Sequence, residues 1–311
     1  MKPKAILFGP FSGELFWEAF RFSPMLAYYK FKEYKDQDIT YIVLTREERF
    51  DLYGRNANIL VPLRISGDYV NKFPECFRLI NYPEEQYKLL AKKFRDKYEK
   101  EYTIIKHIYP DISKPLFVNK NQYPSDKMIH VYTPRFENYK LVEQYLPQET
   151  TKPLVVLAPR FRKGFKRNWK YWPDFYNIIA SDFKLMNDFN FIICGKPEEY
   201  IPDEKNRFLD INQIMLTKKS SLIGILLAVL ENAFFTFGSQ SAIPNLSLLY
   251  EVDVLTFGNE RYLHTKTYNV FNSPITFIDS PAFDIAPDAI FKIFKKLLQT
   301  KKENTKNESM D

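Results

Sequence analysis

The sequence predicts an α/β protein made of two doubly wound, Rossmann-like domains, one in each half of the chain. Short apolar runs alternate with longer amphipathic segments along both halves, which is the pattern of strands joined by helices. Several of these runs, such as 154–157, are apolar throughout, as strands of buried parallel sheets are. The length of 311 residues is sufficient for two such domains.

The first half of the chain predicts strands at 5–8, 39–44 and 128–132 and helices at 14–29 and 84–101. A loop is expected at 9–13, between the first strand and the first helix. The prolines and polar residues of 134–153 predict a linker. We therefore expect a first domain over 1–140.

The second half predicts strands at 154–157, 191–194, 233–237 and 253–257 and helices at 172–186, 220–232, 241–250 and 287–299. We expect a second domain over 141–300, followed by a polar, disordered tail at 301–311. Ligands of open parallel sheets bind beyond the carboxyl ends of the strands. We therefore expect the functional residues in the loops after strands, around a central cleft between the two domains.

The composition excludes several classes of protein. The net charge of +7 favours anionic ligands without singling out nucleic acid. Cys76 and Cys194 are the two cysteines of the chain, so no disulfide framework or cysteine-rich zinc site is expected. The three histidines lack metal-ligand spacing, and Asp36-Gln37-Asp38 fits a polar turn, so we predict no metal. Without a signal peptide or an apolar run of ~20 residues, a cytoplasmic location is expected.

The loop after the first strand contains Ser12, Gly13 and Glu14, and Glu18 follows one helical turn later. It lacks the full glycine spacing of a dinucleotide-binding loop. A carboxylate at the start of this helix can act as a general base, so Glu14 is the first candidate catalytic residue and Glu18 the second. The alternative is an acid that stabilises the positive end of the helix dipole.

The segment 160–170 carries six cations and no acid directly after a predicted strand. Such a loop is suited to a diphosphate. The alternatives are a solvated basic loop and contact with a nucleic-acid backbone. Its candidate phosphate-binding residues are Arg160, Arg162, Lys163 and Lys166.

Two further turns follow predicted strands. The first, comprising Gly238, Ser239, Gln240 and Ser241, opens a helix and could bind an anion, or could be an ordinary serine N-cap. The second contains Gly195 and Lys196, and could bind a nucleotide base or ribose or be a plain strand-to-helix loop.

The order of these segments resembles that of the GT-B glycosyltransferases, and most closely the heptosyltransferase-like enzymes of glycosyltransferase family 9. Gly13-Glu14 resembles a Gly-Asp step whose acid is the proposed base of that family. Trp172-Pro173 is similar to a Trp-Pro that begins a helix there. The segment 195–199 resembles its Gly-Gly-Pro-x-Glu turn. The segment 238–244 resembles its Asp-Ser/Thr-Gly-Pro motif, without the Asp and a following His.

Two further likenesses concern single motifs. The Gly-Ser-Gln-Ser form at 238–241 is similar to fucosyltransferases related to nodulation enzymes. The Gly-Glu-x-x-Trp-Glu opening at 13–18 is similar to glycosyltransferase-type proteins of phages and bacteria.

The resemblance implies transfer of a sugar from a nucleotide-diphosphate sugar to an acceptor hydroxyl, without a metal or other cofactor. It implies that the second domain binds this donor and the first domain the acceptor. Glu14 would be the base, and a single displacement would invert the anomeric carbon. The acceptor, whether a glycan, a lipid-linked sugar or a nucleic acid, and the oligomeric state are left open. Alternatives are a nucleotide-sugar epimerase and a non-enzymatic nucleic-acid-binding protein.

Overall fold

The computed structural model describes residues 2–11, 18–54, 56–63, 84–109, 136–146, 152–161, 168–197, 199–216, 222–259, 269 and 271–308. The chain divides into two compact units, Met1–Glu137 and Asn138–Asp311. The sequence placed the boundary three residues later, at 140.

The first unit contains a parallel sheet in the order β3-β2-β1-β4. Its strands are β1 (Lys4–Phe11), β2 (Ile39–Thr45), β3 (Ile59–Pro62) and β4 (Thr103–Ile108). The predicted loop at 9–13 is wrong for 9–11, because β1 continues to Phe11. Gly9 allows this: it has a φ of +101°, and a Cβ there would lie 2.2 Å from the carbonyl oxygen of Leu44.

The predicted strands at 5–8 and 39–44 are therefore confirmed, whereas β3 and β4 were not foreseen. β4 alternates between exposed and half-buried residues and carries a lysine and a histidine, so it lacks the apolar run that marks a central strand. The predicted strand at 128–132 lies outside the described residues.

The helical segments of the first unit follow β1, β2 and β3 along the chain. The segment after β1 continues as a π-helical turn (Glu18–Phe22), α1 (Ser23–Tyr28) and a second π-helical turn (Tyr29–Glu33). A 3-10 turn (Glu47–Arg49) leads into α2 (Phe50–Tyr53). The predicted helix at 84–101 is confirmed as α3 (Glu84–Glu99). α3 buries its apolar stripe, which consists of Tyr87, Ala91, Phe94 and Tyr98.

The predicted linker at 134–153 contains α4 (Phe136–Tyr145), which is a correction. The prolines at 134 and 147 lie on either side of this helix instead of interrupting it. Leu141 and Val142 are buried, and this burial stabilises a segment whose sequence is otherwise polar.

The second unit contains a six-stranded parallel sheet in the order β10-β9-β8-β5-β6-β7. Its strands are β5 (Leu154–Ala158), β6 (Asn190–Ile193), β7 (Leu209–Asp210), β8 (Ala233–Ser239), β9 (Asp253–Gly258) and β10 (Ile275–Asp279). The four predicted strands are β5, β6, β8 and β9, whereas the edge strands β7 and β10 were missed. The chain runs outward from β5 in one direction and then from β8 in the other. The point between β5 and β8 is therefore the topological switch point at which doubly wound sheets bind ligands.

The helices of the second unit are α5 (Trp172–Ser181), α6 (Phe183–Asp188), α7 (Ile211–Leu216), α8 (Leu222–Glu231), α9 (Ala242–Ser247) and α10 (Pro287–Glu308). The single helix predicted at 172–186 is broken at Asp182, which has extended backbone angles. The Asp182 carboxylate caps α6 by accepting a hydrogen bond of 3.1 Å from the backbone N–H of Leu185.

Much of the aromatic content of this unit lies in its core. The buried Trp169 ring lies 5.1 Å from Trp172, 5.5 Å from Phe175 and 5.2 Å from Phe257, with edge-on geometry in each case. These contacts account for the aromatic residues through packing, so no base-stacking role is needed for them.

The predicted disordered tail at 301–311 is wrong up to residue 308, because α10 continues to Glu308. Lys301 Nζ lies 2.7 Å from Asp253 Oδ1, and Lys302 Nζ lies 2.8 Å from Asp188 Oδ1. The Lys301 ammonium also lies 4.8 Å from the ring centre of Phe234. These contacts attach the last turns of α10 to the first residues of β8 and β9 and to the end of α6. No helix in the described part of the chain is long and apolar enough to span a membrane.

Candidate functional site

The candidate site lies at the switch point of the second unit, where β5 and β8 end. Gly238 on β8 pairs with Ala158 on β5 and with Thr256 on β9. A Cβ at Gly238 would lie 2.8 Å from Ala158 Cβ and 2.9 Å from the Ala158 carbonyl oxygen. The glycine is therefore required by strand packing, and its presence alone is no sign of a ligand.

Arg160 follows β5 by two residues and connects the two strand ends. Its Nη1 donates a hydrogen bond of 3.3 Å to the backbone carbonyl of Gln240. The backbone N–H of Gln240 in turn donates to the carbonyl of Phe257 at 2.9 Å. The structure thus brings together two predicted site residues that are 80 positions apart, and it places a half-buried guanidinium beside the predicted anion-binding turn.

Buried polar oxygens surround this turn. Ser239 Oγ, Asn245 Oδ1 and Thr256 Oγ1 are buried and have no hydrogen-bond partner among the described residues. A buried polar atom without a partner costs about 1–3 kcal/mol, so such atoms in a native protein call for a ligand, ion or water. Sequence reasoning named Ser239 but missed Asn245 and Thr256, because nothing local to either residue marks them.

Ser241 does not act as an ordinary N-cap. It has extended backbone angles before α9, and its side chain makes no capping hydrogen bond. α9 has only six residues, and its third is Pro244, which has no backbone N–H to offer. An anion at this place would therefore depend on side-chain cations more than on the helix end.

The predicted turn at Gly195 and Lys196 is tied to the Arg160 segment. The backbone N–H of Phe161 donates to the carbonyl of Glu199 at 2.9 Å. A Cβ at Gly195 would lie 2.4 Å from Tyr200 Cβ, so this glycine too is required by packing. The Lys196 ammonium is exposed and lies 3.8 Å from the Glu199 carboxylate.

A polar cluster stands behind this turn. Asn212 donates through Nδ2 to the carbonyl of Gly195 at 3.2 Å, while its Oδ1 has no partner among the described residues. The Tyr200 hydroxyl donates to Asp210 Oδ2 at 3.0 Å. Burial and this carboxylate raise the pKa of Tyr200, so the phenol stays protonated as a donor.

Glu18, the second candidate base, lies in a buried ion pair of the first unit. Only 1% of the residue is exposed. Its carboxylate forms an ion pair with Arg49 Nη1, accepts a hydrogen bond from Thr45 Oγ1, and accepts another from the Tyr53 hydroxyl at 3.0 Å. Both carboxylate oxygens are therefore engaged, which favours a structural role over that of a base.

Six predicted site residues lie outside the described part of the chain, so their roles stay predictions: Ser12, Gly13, Glu14, Arg162, Lys163 and Lys166. Among the described residues no group of three or more histidine, cysteine, aspartate or glutamate side chains is arranged to hold a metal ion.

Two doubly wound units with parallel sheets place the chain in the GT-B class of fold. The polar site lies at the switch point of the second unit. The solved structure of a glycosyl transferase of family 9 from Veillonella parvula matches 96% of this chain and 97% of its own, with a TM-score of 0.57 and 12% identity. The ADP-heptose lps heptosyltransferase II of E. coli matches 96% of this chain and 99% of its own, with a TM-score of 0.57 and 11% identity.

The predicted resemblance to the family 9 heptosyltransferases is thereby confirmed for the fold. These two structures lend no support to the likeness to phage proteins. No family model matches the sequence, and no curated protein matches it.

Proposed function

We propose that the protein transfers a sugar from a nucleotide-diphosphate sugar to an acceptor hydroxyl, without a metal ion. The observation that carries the proposal is the site at the end of β5 and β8. There a half-buried arginine lies at the switch point of the sheet, next to buried oxygens that have no hydrogen-bond partner within the described ranges. The fold is shared with solved glycosyltransferases.

The second unit binds the donor in this proposal. Arg160 is positioned by Gln240, and Arg162, Lys163 and Lys166 follow in the same segment. Together they would neutralise the diphosphate. Cations placed where negative charge develops on the leaving oxygen lower the barrier to its departure, which is the role a metal ion has in other enzymes.

The first unit binds the acceptor, and Glu14 is the proposed base. The acceptor oxygen forms a bond to the anomeric carbon while its proton passes to the Glu14 carboxylate. The bond from that carbon to the diphosphate oxygen breaks, and the nucleotide diphosphate leaves with the electron pair. One displacement of this kind inverts the configuration of the anomeric carbon.

The donor side is tested with Arg160→Ala. We expect nucleotide diphosphate binding to weaken by about 1.5–3 kcal/mol, which is the range for hydrogen bonds to charged groups. Lys184→Ala removes an exposed cation from α6 of the same unit and serves as the matched control. Equal binding by the two variants in calorimetry would place the diphosphate elsewhere. Tighter binding of an oligonucleotide than of the diphosphate would favour the nucleic-acid-binding alternative.

The acceptor side is tested with Glu14→Gln, which keeps the size of the side chain but cannot take up the proton. We expect kcat for sugar transfer to fall by about 10²–10⁴-fold while diphosphate binding is kept. Glu47→Gln changes an exposed glutamate of the same unit and is the control. Full turnover by Glu14→Gln would remove this residue as the base. Activity that is lost with a chelator and restored by a divalent metal would contradict the metal-free mechanism.

A further inference from the structure

A groove on the first unit lies between α3 and β4, and its described lining residues are positive and apolar. Its volume is about 390 Å³, which is within the range of small-molecule sites. Lys88, Lys92 and Arg95 line it from α3. Their spacing of four and three residues places them in one row, which extends along about 10 Å of the helix.

The charges of this row are only partly neutralised. The Arg95 Nε donates to Glu99 Oε1 at 2.5 Å, and the two side chains are 50% and 43% exposed, so water weakens this pair too. Lys88 lies 4.0 Å from Glu85, and both side chains are more than half exposed, so water weakens this pair. Within the described part of the chain, no carboxylate lies within ion-pair distance of Lys92. The centre of the row therefore attracts an anion.

The opposite wall of the groove comes from β4 and the residue after it, and it presents Ile104, Ile105 and Tyr109 beside Lys106 and His107. The pairing of β1 with β4 shifts register between Ala5 and Ile6, so that Ile105 is an extra residue without a partner on β1. This bulge leaves Ile105 38% exposed at the groove. Tyr109 stands at the end of the strand, 36% exposed, with its ring 4.7 Å from that of His107.

The His107 ring, which contacts Tyr109, is tied to β1 by a hydrogen bond. Its Nε2 donates to the carbonyl of Gly9 at 2.8 Å. Burial lowers the pKa of His107 below its ordinary value of 6.5, and the positive charge of Arg95 acts in the same direction. The ring supporting Tyr109 is therefore held in place from β1.

We infer that this groove binds a nucleoside monophosphate, with the phosphate on Lys92 and Arg95 and the base against Ile105 and Tyr109. A phosphate alone would leave the apolar side chains of the β4 wall unused. A hexose phosphate fits less well because it has more hydroxyls in need of acceptors than the ribose of a nucleotide has, and the described lining residues include no carboxylate or amide side chain. A flat base stacks on a tyrosine and on aliphatic side chains without that need. The site belongs to the first unit and is separate from the proposed donor site of the second.

The test is calorimetric titration of the full chain with AMP. Lys92→Glu should weaken AMP binding by about 10-fold or more, the loss expected for a charge-assisted phosphate contact. Lys93→Glu makes the same charge change one residue away, at an exposed position that does not line the groove, and should change the affinity little. An equal loss in the two variants would show a general charge effect and overturn the assignment.

Four further measurements test the location of the AMP site and the part played by the base. Arg160→Ala should leave AMP binding to the groove intact, whatever it does to the donor site. If AMP binding disappears with Arg160→Ala and survives Lys92→Glu, the groove is not a nucleotide site.

Tyr109→Ala should weaken the binding of AMP by about 5-fold or more and that of inorganic phosphate hardly at all. Equal affinity for AMP and glucose 6-phosphate would refute the role of the base. Binding of an oligo(dT) strand that depends on Lys92 and is far tighter than that of AMP would reassign the groove to nucleic acid.

Discussion

Replacing Glu18 by glutamine is expected to destabilise the first unit strongly. Glu18 and Arg49 are 1% and 7% exposed, and their ion pair is removed from water. The glutamine would place a neutral side chain where the Arg49 guanidinium now has the Glu18 carboxylate, in a site removed from water. Breaking a buried pair in this way costs about 3–5 kcal/mol. The Tyr53 hydroxyl, which donates to the carboxylate at 3.0 Å, would keep only a neutral acceptor.

The exposed pair of Arg95 and Glu99 is the matched control. Its side chains are 50% and 43% exposed, so Glu99→Gln should cost at most about 1 kcal/mol. A double variant, Glu18→Met with Arg49→Met, should recover much of the lost stability. Two apolar side chains of similar volume remove the buried charge together with its partner.

The assay is urea unfolding of the full chain, followed by circular dichroism, with the free energy of unfolding compared among the variants. Equal stability of Glu18→Gln and Glu99→Gln would refute the reasoning. A double variant no more stable than Glu18→Gln would show that the charge of Arg49 is needed for a further contact. A stable Glu18→Gln protein without transferase activity would return Glu18 to the role of base.

Three further predictions concern the second unit. Removing residues 301–311 should lower the free energy of unfolding of this unit by about 1–2 kcal/mol, because two lysine–aspartate pairs are lost. The melting temperature should fall accordingly, and an unchanged melting temperature would contradict this. Although burial acts in the opposite direction, hydrogen bonds from Arg207 hold the pKa of Asp203 below 3.8. The contribution of the Asp203 carboxylate to the free energy of unfolding is therefore complete above that pH and is lost as the pH falls through the lower pKa of the folded state. Asp203→Asn should therefore lower the free energy of unfolding at pH 7 and make it less dependent on pH in acid. Gly238→Ala should cost about 1–3 kcal/mol in urea unfolding, because the new Cβ would lie 2.8 Å from Ala158 Cβ; a neutral effect would mean that β8 can shift.

The sequence predicted the central strands well because their signal is local. β5, β6, β8 and β9 are short apolar runs, and a strand buried on both faces needs such a run wherever it occurs. Edge strands such as β4, β7 and β10 carry a weaker pattern. Their pairing depends on a neighbour that the local sequence does not reveal, so they were missed.

The sequence identified candidate site residues where several suitable side chains follow one another in the chain. The basic segment beginning at Arg160 and the turn around Ser239 both follow predicted strands, and the parallel sheet brings their ends together. Asn245 and Thr256 were missed because each is marked by one buried oxygen that has no hydrogen-bond partner among the described residues, and this depends on what surrounds the oxygen in space.

The amino-acid sequence by itself determined the two-unit α/β class, the central strands and the location of the polar loops, since strand burial and loop composition depend on neighbouring residues. The tertiary structure decided the role of Glu18, because Arg49 and Tyr53 reach its carboxylate from 31 and 35 positions away. It also decided that residues 301–308 are helical, since the aspartates that hold Lys301 and Lys302 lie far away in sequence, at the start of β9 and at the end of α6. Charges far apart in sequence acquire a partner only when folding brings them together, and no local pattern records that distance.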